Sequence, residues 1–352
     1  MEISNENKIW APLNIPLRRR LQTLAAGFWI FLMIWGQSIT VFTFISLLIW
    51  GTWPIRFLCL LYCAYMYLDK ENIEKGGWST GLKCFRDNAF FRLYREYFPI
   101  NLVKTANLKS DTNYILAAFP HGILCCGIFG HFVSMSPKWQ ELFPGVAARV
   151  CTLASHFGVP IWRELMYAWG LIPASKAGIE NLLTFKSVNK DGTTSNAAVI
   201  IVGGAQEALL ARPKNYELFL NKRKGFVKLA IKTGAPLVPV FSFGEVDIFD
   251  QASNPVGSKV RRFQEAFKKL TGISPAFFFG RGFLQYAFGW VPYRTPVTVV
   301  VGAPIPVNRN LNPTTLEIDD LHSKFVTALT ELFETHKSKY LLNGENITLK
   351  IS

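Results

Sequence analysis

The chain has 352 residues, with 38 lysines and arginines against 24 aspartates and glutamates, a net charge of +14. Half of it is hydrophobic, only 18% is charged and mean hydropathy is +0.20, which excludes a disordered chain, rich in charge and poor in aromatics. An ordinary soluble domain carries about 25% charged residues, so an apolar and basic chain points to a membrane, while the mixed sequence after Leu68 argues against a polytopic transporter.

The first predicted element follows a polar lead, residues 1–23. Between Arg20 and Asp69 lie 48 residues with a single charge, Arg56. Leu24–Trp50 has none, and as a helix it exceeds the roughly 20 residues that a bilayer core requires. Gly51-Thr52-Trp53-Pro54 reads as a break, and a shorter apolar run continues from Phe57 to Leu68. The expectation is a membrane hairpin over 24–68: one full span, then a short or re-entrant element helped by a snorkelling Arg56. A signal peptide is the rival reading, but this run is longer than the usual apolar region of 7–15 residues. Arg18, Arg19 and Arg20 precede the hairpin, and Lys70, Lys75, Lys83 and Arg86 follow it, so the positive-inside rule predicts both ends in the cytosol. Six cysteines at 59, 63, 84, 125, 126 and 151 make a poor disulfide framework and fit reduced thiols. The sequon at Asn346 would go unused on that side.

Residues 69–352 read as a cytosol-facing α/β domain. Apolar runs recur at Tyr114–Ala118, Val150–Ala154, Ala197–Val202, Pro236–Phe241 and Val297–Val301, with helical stretches at Gly225–Thr233 and Lys259–Leu270. Continuously apolar strands are buried on both faces, so a largely buried sheet flanked by helices is expected. The chemistry of such folds gathers where strands end.

Two strand ends carry candidate groups. Pro120 stops the first strand, His121 follows on a sharp loop, and Gly122 permits close backbone approach. His121 is a candidate general base, with a structural imidazole as the alternative. Val202-Gly203-Gly204 ends another strand and leads to Glu207. Its glycines suit a phosphate or an oxyanion, and Glu207 is a candidate to orient the His121 imidazole. The bland alternative for Glu207 is a carboxylate favoured by a helix start. No nucleophile elbow, Walker loop or dinucleotide fingerprint occurs. His121, Cys125, Cys126 and His131 lack the paired clusters of a zinc site, so no metal is expected.

Positive charge is concentrated. Residues 212–232 hold seven cations and one acid, and 257–294 hold another seven and one. In the latter, Val260, Phe263, Phe267 and Leu270 share one helical face, which reads as an interfacial amphipathic helix drawn to anionic headgroups. Nucleic acid is the rival partner, and the hairpin favours lipid or a phosphorylated co-substrate instead.

Together these motifs resemble the type-2 diacylglycerol acyltransferase family, which includes monoacylglycerol and wax-alcohol acyltransferases. The resemblance runs through Tyr97-Phe98-Pro99, Pro120-His121-Gly122, Gly203-Gly204 with Glu207, Arg223-Lys224-Gly225-Phe226 and Gly280-Arg281-Gly282. Phe119 stands where the family pattern has its first histidine. The resemblance implies a glycerolipid-acyltransferase-like core and an enzyme of the endoplasmic reticulum membrane and lipid droplets. It would esterify diacylglycerol from acyl-CoA, which is a co-substrate and leaves no need of a cofactor. Monoacylglycerol or a long-chain alcohol is the alternative acceptor. The family's catalytic histidine carries over to His121. Related glycerophosphate acyltransferases carry an aspartate where this chain has Cys126, so Glu207 is the acid expected to assist. Gly122, Gly203 and Gly204 are the expected oxyanion donors, and Arg212, Arg223 and Lys224 the candidates for CoA phosphates. A non-catalytic lipid-binding protein is the reading from another class, and a homo-oligomer stays open.

Overall fold

The computed structural model describes residues 10–352 apart from 13, 75–80, 185–187, 190 and 273, so the Lys75 expectation lies outside the described residues. Helix α1 runs Leu17–Trp50 and α2 runs Trp53–Leu68. Then come α3 (Ala89–Tyr97), β1 (Asn101–Lys104), β2 (Tyr114–Phe119), β3 (Val146–Thr152) and β4 (Ile172–Pro173). The chain continues through α4 (Lys176–Thr184), β5 (Ser195–Ile201), α5 (Gly204–Ala208), α6 (Gly225–Thr233) and β6 (Leu237–Phe243). Helix α7 (Lys259–Thr271), β7 (Thr298–Val301) and α8 (Thr315–Tyr340) complete the larger elements.

Seven strands form one sheet in the order β1-β7-β6-β2-β5-β3-β4. All neighbours are parallel except β7, which runs antiparallel to β6. Side chains alternate across the sheet, as the pleat requires. Leu116 and Ala118 face a core shared with Trp29 and Ile30 of α1 and with Phe91 and Tyr94 of α3. Ile115, Ala117 and Phe119 face the other core, against Phe226 of α6 and Phe325, Leu329 and Phe333 of α8. Burial on both faces explains why the strands read as continuous apolar runs. The five expected strands are present with shifted ends. The largest shift is Val146–Thr152 in place of Val150–Ala154, because the alanines and Arg149 hide its amino-terminal half.

Helix α1 is the one helix among the described residues that is long and apolar enough to cross a membrane. It begins at Leu17, inside the expected lead, because Pro16 fixes the turn before it. Its early residues Ala25, Ala26, Trp29 and Ile30 are buried in the core, so the rod starts within the α/β body. Gly51 ends it. The Arg56 guanidinium reaches back to the carbonyls of Gly51 at 2.9 Å and Ile49 at 2.6 Å, covering the unsatisfied end of α1. Helix α2 has 16 residues and is tied to the body by Tyr62 to Glu164 and by an ion pair between Asp69 and the fully buried Arg163.

Candidate active site

Strands β5, β2 and β6 are adjacent and parallel, so their carboxyl ends meet at one edge of the sheet. Three loops leave there: Pro120-His121-Gly122 after β2, Gly203-Gly204 after β5, and Gly244-Glu245 after β6. Because β7 is antiparallel, its first residue Thr298 pairs with Phe243 at the same edge.

His121 is half-buried on its loop. Its Nδ1 lies 3.0 Å from the Gly122 carbonyl oxygen. A carbonyl can only accept, so this network assigns the proton to Nδ1 and leaves the lone pair on Nε2. Burial pushes the imidazole below its ordinary value of 6.5, and the Gly122 bond only partly offsets this. The ring is therefore neutral at neutral pH.

Glu207 meets this loop differently from expectation. Its Oε2 accepts the backbone N–H of His121 at 2.8 Å, and its Oε1 accepts that of Phe219 at 2.9 Å. The carboxylate holds the main chain, not the ring. The reason is local: Glu207 lies one turn into α5, and Gly203 without a Cβ lets the carboxyl fold back under the strand end. A Cβ at Gly203 would overlap the Glu207 carboxyl carbon. Burial raises Glu207 to about 7, against the two N–H donors and the charge of Arg223.

A second buried acid, Glu245, was not anticipated. Its Oε1 accepts Cys126 N–H at 2.6 Å, and its Oε2 accepts Gly127 N–H at 2.8 Å and the Ser242 hydroxyl at 3.1 Å. It thus holds the far side of the His121 turn. Gly122 adopts φ +57°, and a Cβ there would come within 2.7 Å of Glu245 Cγ. Burial raises this carboxyl to about 7 as well. The signal was available: Gly244-Glu245 follows an apolar strand, as Gly203-Gly204 with Glu207 does.

Cys125 donates its thiol to the His121 carbonyl at 3.1 Å, while Cys126 is fully buried. Burial pushes both thiols well above the ordinary range, so neither is a ready nucleophile. The three cations expected at phosphates already have partners. Arg212 bonds the Ala252 carbonyl at 3.2 Å and the Asn254 side chain. Lys224 pairs with Asp319 at 2.6 Å. Arg223 lies over the Phe219 ring at 5.2 Å, and it alone of the three acts on Glu207.

Helix α7 turns the expected apolar stripe outward. Its buried side is polar, with Arg261 paired to Glu265 at 2.7 Å and Gln264 bonded to Asn254 at 2.8 Å. Phe263 and Leu270 remain 54% and 85% exposed, so its apolar stripe faces away from the core.

A diacylglycerol acyltransferase family profile matches residues 47–351. The chain is 42% identical over 340 residues to the 2-acylglycerol O-acyltransferase 1 of Bos taurus, covering 97% of this chain and 98% of that one. It is 39% identical over 345 residues to the diacylglycerol O-acyltransferase 2 of Dictyostelium discoideum, covering 97% and 99%. The crystal structure of a 1-acyl-sn-glycerophosphate acyltransferase from Thermotoga maritima aligns at TM-score 0.40 and 15% identity, over 92% of this chain and 99% of that one. The match along nearly the whole length to named enzymes sets aside the non-catalytic reading. With its α/β body and its motifs gathered at one sheet edge, the chain belongs to the diacylglycerol acyltransferase family and is an acyltransferase.

Proposed function

We propose that the chain esterifies the free hydroxyl of diacylglycerol with the acyl group of acyl-CoA, and that His121 is the general base. The observation that carries this is the neutral imidazole at the end of β2, with Nδ1 committed to Gly122 and Nε2 left to take a proton. The hydroxyl oxygen attacks the thioester carbonyl as its proton passes to Nε2. A tetrahedral oxyanion forms, for which the N–H groups of Gly122, Gly203 and Gly204 are the proposed donors. As the C–S bond breaks, the imidazolium returns its proton to the CoA thiolate. A thioester is already activated, so no covalent enzyme intermediate is required. Glu207 and Glu245 act on the loop that carries the base, not on the proton. Arg223 is proposed for a CoA phosphate.

A second acceptor, 2-acylglycerol, is favoured by the name of the bovine relative, which aligns over nearly its full length. The working place proposed is the cytosolic face of the endoplasmic reticulum membrane, extending to lipid droplets. Helix α1 supports it by its apolar length, and the outward stripe of α7 supports contact with a lipid surface. The test is the full chain in neutral vesicles with labelled acyl-CoA and diacylglycerol, 2-acylglycerol or a long-chain alcohol. Ester should form on an acylglycerol, and His121→Ala should abolish it without loss of membrane insertion. A fully active His121→Ala overturns the mechanism, and transfer to the alcohol alone overturns the acceptor.

A further inference from the structure

Beyond β5, at the sheet edge that carries His121, lies β3. It is parallel to β5, so the loop after Thr152 leaves at the same end as the His121 loop. With strands about 4.8 Å apart, two spacings put the roots of the two loops about 10 Å from each other. The β3 loop makes a tight turn, Ala154–Gly158, that carries His156, and then enters the short helix Trp162–Ala168. It meets α1 about two turns beyond the core residue Ile30. There Gly36 lies so close to Trp162 that a Cβ would overlap the indole.

Gln37, the one amide in the uncharged run Leu24–Trp50, is next to that contact. A polar side chain in such a run is costly without partners. Its Oε1 lies 3.0 Å from His156 Nδ1, and the Trp162 indole N–H donates to the same nitrogen at 3.2 Å. An indole N–H can only donate, so Nδ1 holds the lone pair and the ring proton sits on Nε2. The Gln37 amide, alike at its two ends, then turns its NH2 to Nδ1. Burial pushes His156 below its ordinary value of 6.5, so the ring is neutral at neutral pH.

The Nε2 of this half-buried ring has no partner among the described residues and is not sealed in the interior. Exposed apolar side chains border it, Leu153 and Ile161 from the loop and Trp35 and Ile39 from α1. Ile161 holds φ +66°, a conformation that a β-branched residue rarely adopts, and its N–H donates to the Tyr62 hydroxyl of α2 at 2.9 Å. The loop is thus held between the two apolar helices, with strain of the kind that gathers at ligand-holding segments.

We propose that His156 binds an ester carbonyl of an acylglycerol arriving from the bilayer, donating from Nε2, with Gln37 and Trp162 fixing its ring. A neutral donor bordered by apolar side chains matches an uncharged ester, whereas a phosphate calls for a cation. The inference rests on the acceptor class proposed above. Its test reads binding, so it stands or falls separately from acyl transfer by His121.

The experiment uses the full chain in vesicles of diether phosphatidylcholine, where the probe supplies the only ester carbonyls. The probes are a pyrene-labelled 1,2-diacylglycerol and its dialkyl ether counterpart, and energy transfer from tryptophan to pyrene reads their affinity. The unaltered protein should bind the diester about tenfold more tightly, the worth of one well-made hydrogen bond. His156→Phe should bind the diester as weakly as the diether, and His156→Gln, which keeps an N–H, should restore most of the preference. Equal affinity of the unaltered protein for both probes overturns the proposal, whatever the variants do. So does a His156→Phe loss common to both probes, which marks a structural role. Displacement of the diester by ester phosphatidylcholine as readily as by unlabelled diacylglycerol overturns it too, by giving the site to the bilayer lipid.

Discussion

The backbone N–H of His121 donates to Glu207 at 2.8 Å, joining positions 86 apart in the chain. The two residues leave neighbouring strands β2 and β5, so their separation is fixed by sheet register and not by a flexible loop. Glu245 grips the same turn from β6 through Cys126 and Gly127. The histidine therefore sits on a backbone clamped from both sides by buried acids, each of which faces only N–H or O–H donors.

Replacing Glu207 by Gln turns one accepting oxygen into an NH2 group facing an N–H. A buried donor without an acceptor costs about 1–3 kcal/mol, which as lost positioning is roughly a 10- to 100-fold fall in kcat. KM for acyl-CoA should move little. Gly203→Ala, which displaces the same carboxyl, should match it, and the double variant should be no worse than either single one. Steady-state kinetics of the three variants checks this, and additive losses would show that the two positions act separately.

The acid limb of kcat/KM should lie below the ordinary histidine value of 6.5, because burial disfavours the imidazolium of His121. With neutral imidazole as the proposed base, activity should hold at neutral pH and fall only as pH drops through that lowered value. A limb above 6.5 would assign the titration to another group.

Burial raises the Glu245 carboxyl from its ordinary value of 4.5 to about 7 in the folded state. Between those values the folded state binds more protons than the unfolded one. The contribution is fully present below 4.5 and is lost as pH rises through about 7, with a slope of at most about 1.4 kcal/mol per pH unit. Glu245→Gln should remove this slope while lowering the melting temperature at acid pH, because its amide cannot satisfy every donor. Thermal unfolding in detergent between pH 4.5 and 7.5 compares the two, and parallel curves would show that Glu245 does not titrate there.

The exposed stripe of α7 should touch lipid. Phe267→Trp places a reporter on that stripe, and brominated acyl chains should quench its added emission in vesicles. An emission equal with and without bromine would put the stripe in water.

Much of this was legible in the sequence. The break at Gly51-Thr52-Trp53-Pro54 and the strands leading to His121 and Glu207 could be read because turn residues and doubly buried strands leave unambiguous local patterns. Two things could not. The partner of Glu207 is a main-chain N–H, which no side-chain pattern encodes. The antiparallel β7 follows from how the chain returns to the sheet, not from Thr298–Val301 themselves. Helix α8 was within reach: Thr314 and Glu317 form a capping box at its start.

Trp29 and Ile30 lie in the enzyme's core, yet the same uninterrupted helix runs on to Trp50. No joint separates anchor from body. At 1.5 Å per residue its 34 residues extend about 50 Å, against about 30 Å of hydrocarbon. With the apolar run seated in a bilayer as proposed, local thinning or thickening could not be absorbed by a swivelling tether and would tip or lift the whole molecule. The standoff between the proposed site and such a bilayer would be set by a single rigid post.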